Sequence, residues 1–263
     1  MRGFAVGGSA VGEAGWAPAA RGAYGPGMNL VELLPRTLYL LGSPVGHAYL
    51  WCGPDGLTLV DTGLPGSAPR IAKAVEALGH RRGDLRQVLL THAHVDHVGS
   101  AADVAAWGDV SVAAHRDDAQ VVRGEAENPP PVLEGWERQL YDQVHATMPD
   151  DRPAPARVDR ELRDGDLIDL GGGVQAVAVA VPGHTPGSVA FHLPEHGVLF
   201  TGDTIARAPD GTVMLGVFNT DPARAAVSFQ RQAGLRPRIA CFGHGEPLTE
   251  HTATRLAEAA APR

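Results

Sequence analysis

His92, His94, Asp96 and His97 place four metal-ligating side chains within six positions. Neutral imidazoles with one carboxylate form a borderline donor set that suits zinc and also accepts iron or manganese. If the chain stays extended through His92 and His94, their i, i+2 spacing points both rings the same way. Asp96 and His97 follow once the chain begins to turn, so they face a different point. Three more residues of these kinds, His184, Asp203 and His244, each follow an apolar run and touch a glycine. Glycine lets the backbone turn sharply and lets side chains from separate strands approach. A divalent cation in such a set polarises a carbonyl or phosphoryl group and activates water. The alternative for 92–97 is a His-rich surface loop. Its position directly after an apolar run favours a site, because sites in α/β folds gather at strand ends.

Strands and helices must carry these residues. Val88, Leu89 and Leu90 read as a short buried strand delivering the first cluster. Before it, strands are expected over 38–41, 47–52 and 57–60, with Gly53-Pro-Asp-Gly56 as the turn of a hairpin. The third strand runs into Asp61-Thr62-Gly63. Asp61 there reads either as a turn residue or as a carboxylate gripping a ligand imidazole by its other nitrogen. Ser67 is placed to cap a helix to Leu78 that Gly79 stops, and a further helix is expected over 101–107. A strand over 110–113 follows, with His115 at its end read as structural rather than ligating. In the second half, apolar runs at 167–170, 174–181, 189–193, 198–200 and 239–242 predict strands. Helices are expected over 222–233 and 249–260. The mixture makes the fold class α/β.

Residues 120–157 interrupt that alternation. Asn128-Pro-Pro-Pro131 is stiff and extended, and Leu133, Trp136, Leu140 and Val144 then recur at helical spacing. One reading is a peripheral helix packing its apolar stripe on the core. The other is a lid over a substrate pocket, with Trp136, Tyr141 and Met148 as lining residues. Phe218 and Asn219 are the remaining candidates for that pocket.

A chain of 263 residues that is 44% apolar can bury one large core. The expected domain spans 28–263, and the Gly- and Ala-rich residues 1–27 read as a flexible N-terminal extension without a secretory signal. The longest apolar run, 174–181, is a strand's length, so no membrane is expected as a partner. A net charge of -8 argues against nucleic acid as the main partner; a small-molecule substrate is the expected partner, with a homodimer left open. Cys52 and Cys241 read as free thiols of a cytoplasmic protein, though a bridge between them stays open.

Taken together, Thr91-His-Ala-His-Val-Asp-His97, Gly183-His184, Gly202-Asp203 and Gly243-His244 resemble the metallo-β-lactamase superfamily, in its glyoxalase II/lactonase-like branch. The Asp61-Thr62-Gly63 strand end fits the same pattern, and the resemblance covers residues 38–260. It implies a four-layer αβ/βα sandwich, two mixed β-sheets flanked by helices. It also implies two Zn2+ per chain, with Fe or Mn as alternatives. His92, His94 and His184 would hold the first ion, Asp96, His97 and His244 the second, and Asp203 would bridge both. Asp61 would steady a ligand ring from behind. The implied activity is that of a dinuclear hydrolase whose metal-bridging hydroxide cleaves a small ester, thioester or lactone. Asp96 and Asp203 would be its catalytic carboxylates.

Departures from subfamily patterns narrow this further. Asp203 counts against a true β-lactamase, although residues 183–188 are similar to one β-lactamase subgroup and leave weak β-lactam hydrolysis open. His94 stands where flavodiiron relatives usually carry an acid. The nineteen residues after His244 are expected to leave no room for the helical domain of larger glyoxalase II enzymes. The alternatives are a phosphodiesterase or nuclease-type hydrolase and a mononuclear iron enzyme resembling persulfide dioxygenases.

Overall fold

The computed structural model describes residues 29–147 and 153–261. Residues 1–27 and Met148 therefore lie outside the described residues. The first half builds a seven-stranded sheet in which spatial order equals chain order. Strands β1 (Asn29–Leu34), β2 (Leu38–Gly42), β3 (Ala48–Gly53) and β4 (Gly56–Val60) form an antiparallel meander. Helix α1 (Ala68–Ala77) then returns the chain to β5 (Leu85–Leu89), parallel to β4. Two short helices, α2 (Val95–Val98) and α3 (Ala101–Ala105), precede β6 (Ser111–His115). Helices α4 (Arg116–Val122) and α5 (Gly135–Thr147) precede β7 (Arg160–Leu162). Strands β5, β6 and β7 are all parallel neighbours.

The second sheet holds β8 (Leu167–Asp169), β9 (Gln175–Ala180), β10 (Val189–Leu193) and β11 (Val198–Gly202) as antiparallel neighbours. A small hairpin of β12 (Ile205–Arg207) and β13 (Val213–Leu215) follows, then helix α6 (Pro222–Gly234). Strand β14 (Ile239–Phe242) completes the sheet parallel to β11, and α7 (Thr252–Ala259) ends the fold.

The period-2 alternation of the strands separates the layers. Leu38, Leu40, Tyr49 and Trp51 point from the first sheet to Phe191, Phe200 and Cys241 of the second, forming the core between the sheets. Their neighbours Tyr39, Leu41, Leu50 and Leu57 face the other way, onto Ile71 and Val75 of α1 and Val104 of α3. On the far side, Phe229 of α6 and Leu256 of α7 pack on Ala240 and Phe242. The result is the expected four layers of helices, sheet, sheet and helices. Each fully buried Leu or Phe here stabilises the fold by about 1.5–3 kcal/mol relative to exposure.

Several details differ from the expectation. Strand β1 lies outside the expected strands because its NLVELL residues are all exposed or half-exposed and show no clean alternation. Ser67 makes no side-chain cap on α1; instead its N–H donates to Ser100 Oγ at 2.8 Å. Trp136 is 57% exposed and does not belong to the buried stripe of α5. Glu137 takes the inward position, because its carboxylate accepts the N–H groups of Glu134 and Phe218. Cys52 and Cys241 are both free thiols, in agreement with the expectation, and burial raises the Cys52 thiol to about 11. Among the described residues no helix is long and apolar enough to cross a membrane.

Candidate metal centre

Strand direction explains why seven dispersed residues meet. Strands β4 and β5 run parallel, as do β11 and β14, and β9 shares the direction of β11 because β10 opposes both. Each sheet therefore presents several C-terminal strand ends at one edge, and every candidate donor follows one of those ends. His94 is still extended, at φ -79° and ψ 151°, whereas Asp96 and His97 lie within the single turn of α2. This turn is held by Thr62, whose N–H and hydroxyl both donate to the His97 carbonyl.

The donor atoms converge. His92, His94 and His184 form one group, His92, His97 and Asp203 a second, and Asp96, His97 and His244 a third, each with donor atoms within 4.8 Å of one another. Asp203 lies between the groups. Its Oδ2 is 3.1 Å from His244 Nε2, 3.6 Å from His184 Nε2 and 3.7 Å from His92 Nε2, while Oδ1 is 3.3 Å from His97 Nε2. Asp96 Oδ2 is 3.2 Å from His244 Nε2 and 3.7 Å from His97 Nε2. His94 and His244 are partly exposed and the other donors buried, so solvent reaches the cluster from their side.

Asp61 is both things that were open for it. It occupies the left-handed region at φ +58°, as a turn residue would, and its carboxylate faces the cluster. Oδ1 accepts the Thr91 N–H at 2.8 Å, and Oδ2 accepts the Thr91 hydroxyl at 2.7 Å and lies 2.8 Å from His97 Nδ1. His97 is thereby fixed with Nε2 toward Asp203.

The electrostatics suit a cation. Burial lowers His92 and His94 and takes His184 to about 3, which makes them neutral donors at pH 7. Burial also pushes His97 and His244 down, but Asp203 and the neighbouring carboxylates outweigh it. His97 rises well above its usual value and His244 to about 10. Burial raises Asp96 and Asp203, yet His97 and His244 hold both below the ordinary carboxylate range. His92 Nε2, His97 Nε2 and Asp203 Oδ1 are buried with no hydrogen-bond partner among the described residues. Orphaned donors of this kind are costly unless something binds them, and metal ions fit the position.

Gly243 permits the close approach. A Cβ there would overlap Asp203 Oδ1 and stand 2.7 Å from His97 Cε1. Gly243→Ala is therefore expected to keep the fold, by circular dichroism, while lowering metal affinity about 10–100-fold. Wild-type metal content in that variant would contradict this geometry.

Of the pocket candidates, Phe218 and Tyr141 meet edge to face with ring centres 5.2 Å apart. Phe218 is carried by a loop pinned beside the donors: the Thr220 N–H donates to the His184 carbonyl at 3.2 Å. Asn219 is only 3% exposed and spends its amide on the Gly216 carbonyl. That bond shapes the loop, while Asn219 Oδ1 is buried with no hydrogen-bond partner among the described residues. His115 caps α4 by accepting the Asp117 N–H, which agrees with a structural reading.

Comparison with known proteins extends the picture. Residues 42–244 match the family description "Metallo-beta-lactamase superfamily". The chain belongs to the metallo-β-lactamase superfamily. Among curated relatives, the "Probable metallo-hydrolase YflN" of Bacillus subtilis (strain 168) is 27% identical over 74% of this chain and 78% of its own length. A hydroxyacylglutathione hydrolase of Fuscovulum blasticum is 30% identical over 67% of this chain, which spans only 55% of that relative. A metallo-beta-lactamase family protein of Thermus thermophilus superposes with a TM-score of 0.64 at 26% identity, covering 86% of this chain and 79% of its own. The chain is a metallo-hydrolase of this superfamily, with His and Asp clusters able to hold metal.

Proposed function

We propose that the chain is a dinuclear metal-dependent hydrolase that cleaves a small ester, thioester or lactone. The observation that carries the reading is Asp203. One carboxylate comes within 3.7 Å of His92 and His184 and within 3.3 Å of His97 and His244, the position of a bridge between two ion sites. His92, His94 and His184 would hold one ion, and Asp96, His97 and His244 the other. Bound ions of this kind polarise the attacked oxygen and bring the pKa of bound water from 15.7 toward about 7.

The chain's own residues do the rest. Asp96, 3.2 Å from the partly exposed His244, would orient the nucleophilic water through a hydrogen bond to its carboxylate and relay its proton toward the leaving oxygen or sulfur. Asp203 keeps the two donor groups at a fixed separation. Asp61 orients His97 through Nδ1, and Phe218 with Tyr141 offers an apolar edge to an acyl group. No side-chain nucleophile is required: water would add to the carbonyl carbon, and the bond to the leaving oxygen or sulfur would then break without an acyl-enzyme.

A panel of lactones, thioesters, nitrocefin and bis(p-nitrophenyl) phosphate tests the reading, each with and without chelator. Turnover is expected on a lactone or thioester, lost on chelation and restored by Zn2+ or Mn2+. Metal analysis is expected to find two ions per chain. Turnover of the phosphodiester alone, or a single iron with no zinc or manganese, would sink the proposal.

A further inference from the structure

Two polar side chains outside the seven donors grip the peptide between His92 and His94. Asp118, 1% exposed on α4, accepts the Ala93 N–H on Oδ2 at 2.9 Å. Asn128, from the chain between α4 and α5, donates Nδ2 to the Ala93 carbonyl at 2.9 Å. Both peptide planes flanking Ala93 are thus fixed. In extended chain, turning either plane would swing one imidazole away from the other.

The same carboxylate reaches the third histidine's loop. The Thr185 hydroxyl donates to Asp118 Oδ2 at 2.7 Å, and the Gly187 N–H donates to Oδ1 at 2.7 Å. Thr185 follows His184 directly. Gly187 makes the approach feasible, since a Cβ there would stand 2.5 Å from Asp118 Oδ1 and 2.6 Å from Cγ. Asp118 is therefore a buried carboxylate held by three hydrogen-bond donors. Such a group is expensive to bury, and its three donors come from the two loops that bear His92, His94 and His184.

We infer that Asp118 and Asn128 are positioning residues that pre-set His92, His94 and His184 for one metal ion, with Asp118 as the staple between the two loops. This rests on the proposed assignment of those three histidines to one ion. Residues that orient metal ligands from behind typically govern affinity by 10–100-fold, and the same range applies here.

The test is Zn2+ affinity of the full chain by competition with a chromophoric chelator. The variants are Asp118→Asn, Asn128→Ala, Thr185→Val and Thr185→Ser, with exposed Asp117→Asn as control. Asp118→Asn keeps the size but turns an amide toward N–H donors; it is expected to weaken one of the two ions about 10–100-fold and leave the other unchanged. Asn128→Ala removes the one bond to Ala93, and Thr185→Val removes the hydroxyl that links Asp118 to Ser188; each is expected to weaken that same ion by about tenfold. Thr185→Ser retains the hydroxyl and is expected to bind as wild type does, as is Asp117→Asn. Wild-type affinity for both ions in Asp118→Asn and Thr185→Val would overturn the inference while leaving the dinuclear reading intact. Equal weakening of both ions with a lowered Tm would also overturn it, as a merely structural effect. A wild-type chain that takes up only one equivalent would instead overturn the dinuclear reading.

Discussion

Replacing Asp203 by alanine is expected to lower metal content and activity together. The carboxylate faces four histidine nitrogens at 3.1–3.7 Å, and among the described residues no other carboxylate reaches all four. On the proposed dinuclear assignment the ions would lose their shared ligand, and like charges at close range would be left with less negative charge to hold them. The expected result is a fall from two bound ions toward one. Loss of one ion removes several kcal/mol of transition-state stabilisation, so kcat/KM on the best substrate of the panel should fall by about 10³-fold or more. Atomic absorption of the purified variant and steady-state kinetics check both parts. An Asp203→Ala protein with unchanged metal content and rate would show that the bridge is misassigned.

The second large effect is expected at Asp61. Asp61→Asn preserves volume, and asparagine tolerates the left-handed backbone at φ +58°. What it removes is the charged acceptor shared by Thr91 and His97. The His97 ring is then free to turn, and a neutral amide no longer strengthens its Nε2 as a donor. Affinity of the ion held by His97 is expected to drop about 10–100-fold, with the other ion affected less. The chelated variant separates this from instability: its Tm should lie close to that of chelated wild type if Asp61 acts through the ligand ring. Undiminished affinity for both ions would refute that role.

The donors were readable in the sequence because their residue types are uncommon, crowd into 92–97, and elsewhere stand beside glycines at the ends of apolar runs. Strands in each half also announced themselves through unbroken apolar runs, for instance 38–41 and 198–200. Asp118 offered no such signal. It stands in Arg116-Asp-Asp-Ala119 beside exposed Asp117, and the approach of the 92–94 and 185–187 loops gives it a different environment. Asn128 is equally plain at the start of a proline run, where stiffness was visible and its hydrogen bond to Ala93 was not. On α5 helical spacing suggested Trp136 for the inner face. The carboxylate of Glu137 took that face by accepting two backbone N–H groups, one of them from Phe218, 81 residues away, a pairing that periodicity cannot register. The β12–β13 hairpin was missed because its strands have only three residues each.

The convergence of strand ends has a thermodynamic side. His92, His94, Asp96 and His97 follow the first sheet, whereas His184, Asp203 and His244 belong to the second. Neither donor group is complete within one half of the chain, and neither exists in an unfolded chain. Binding free energy at such a site is therefore folding free energy by linkage. Each tenfold rise in free metal above its dissociation constant adds about 1.4 kcal/mol to the stability of the folded state. On the proposed metal assignment, the concentration of free divalent ions around this protein would set how firmly its two sheets stay together, as well as whether it turns over substrate.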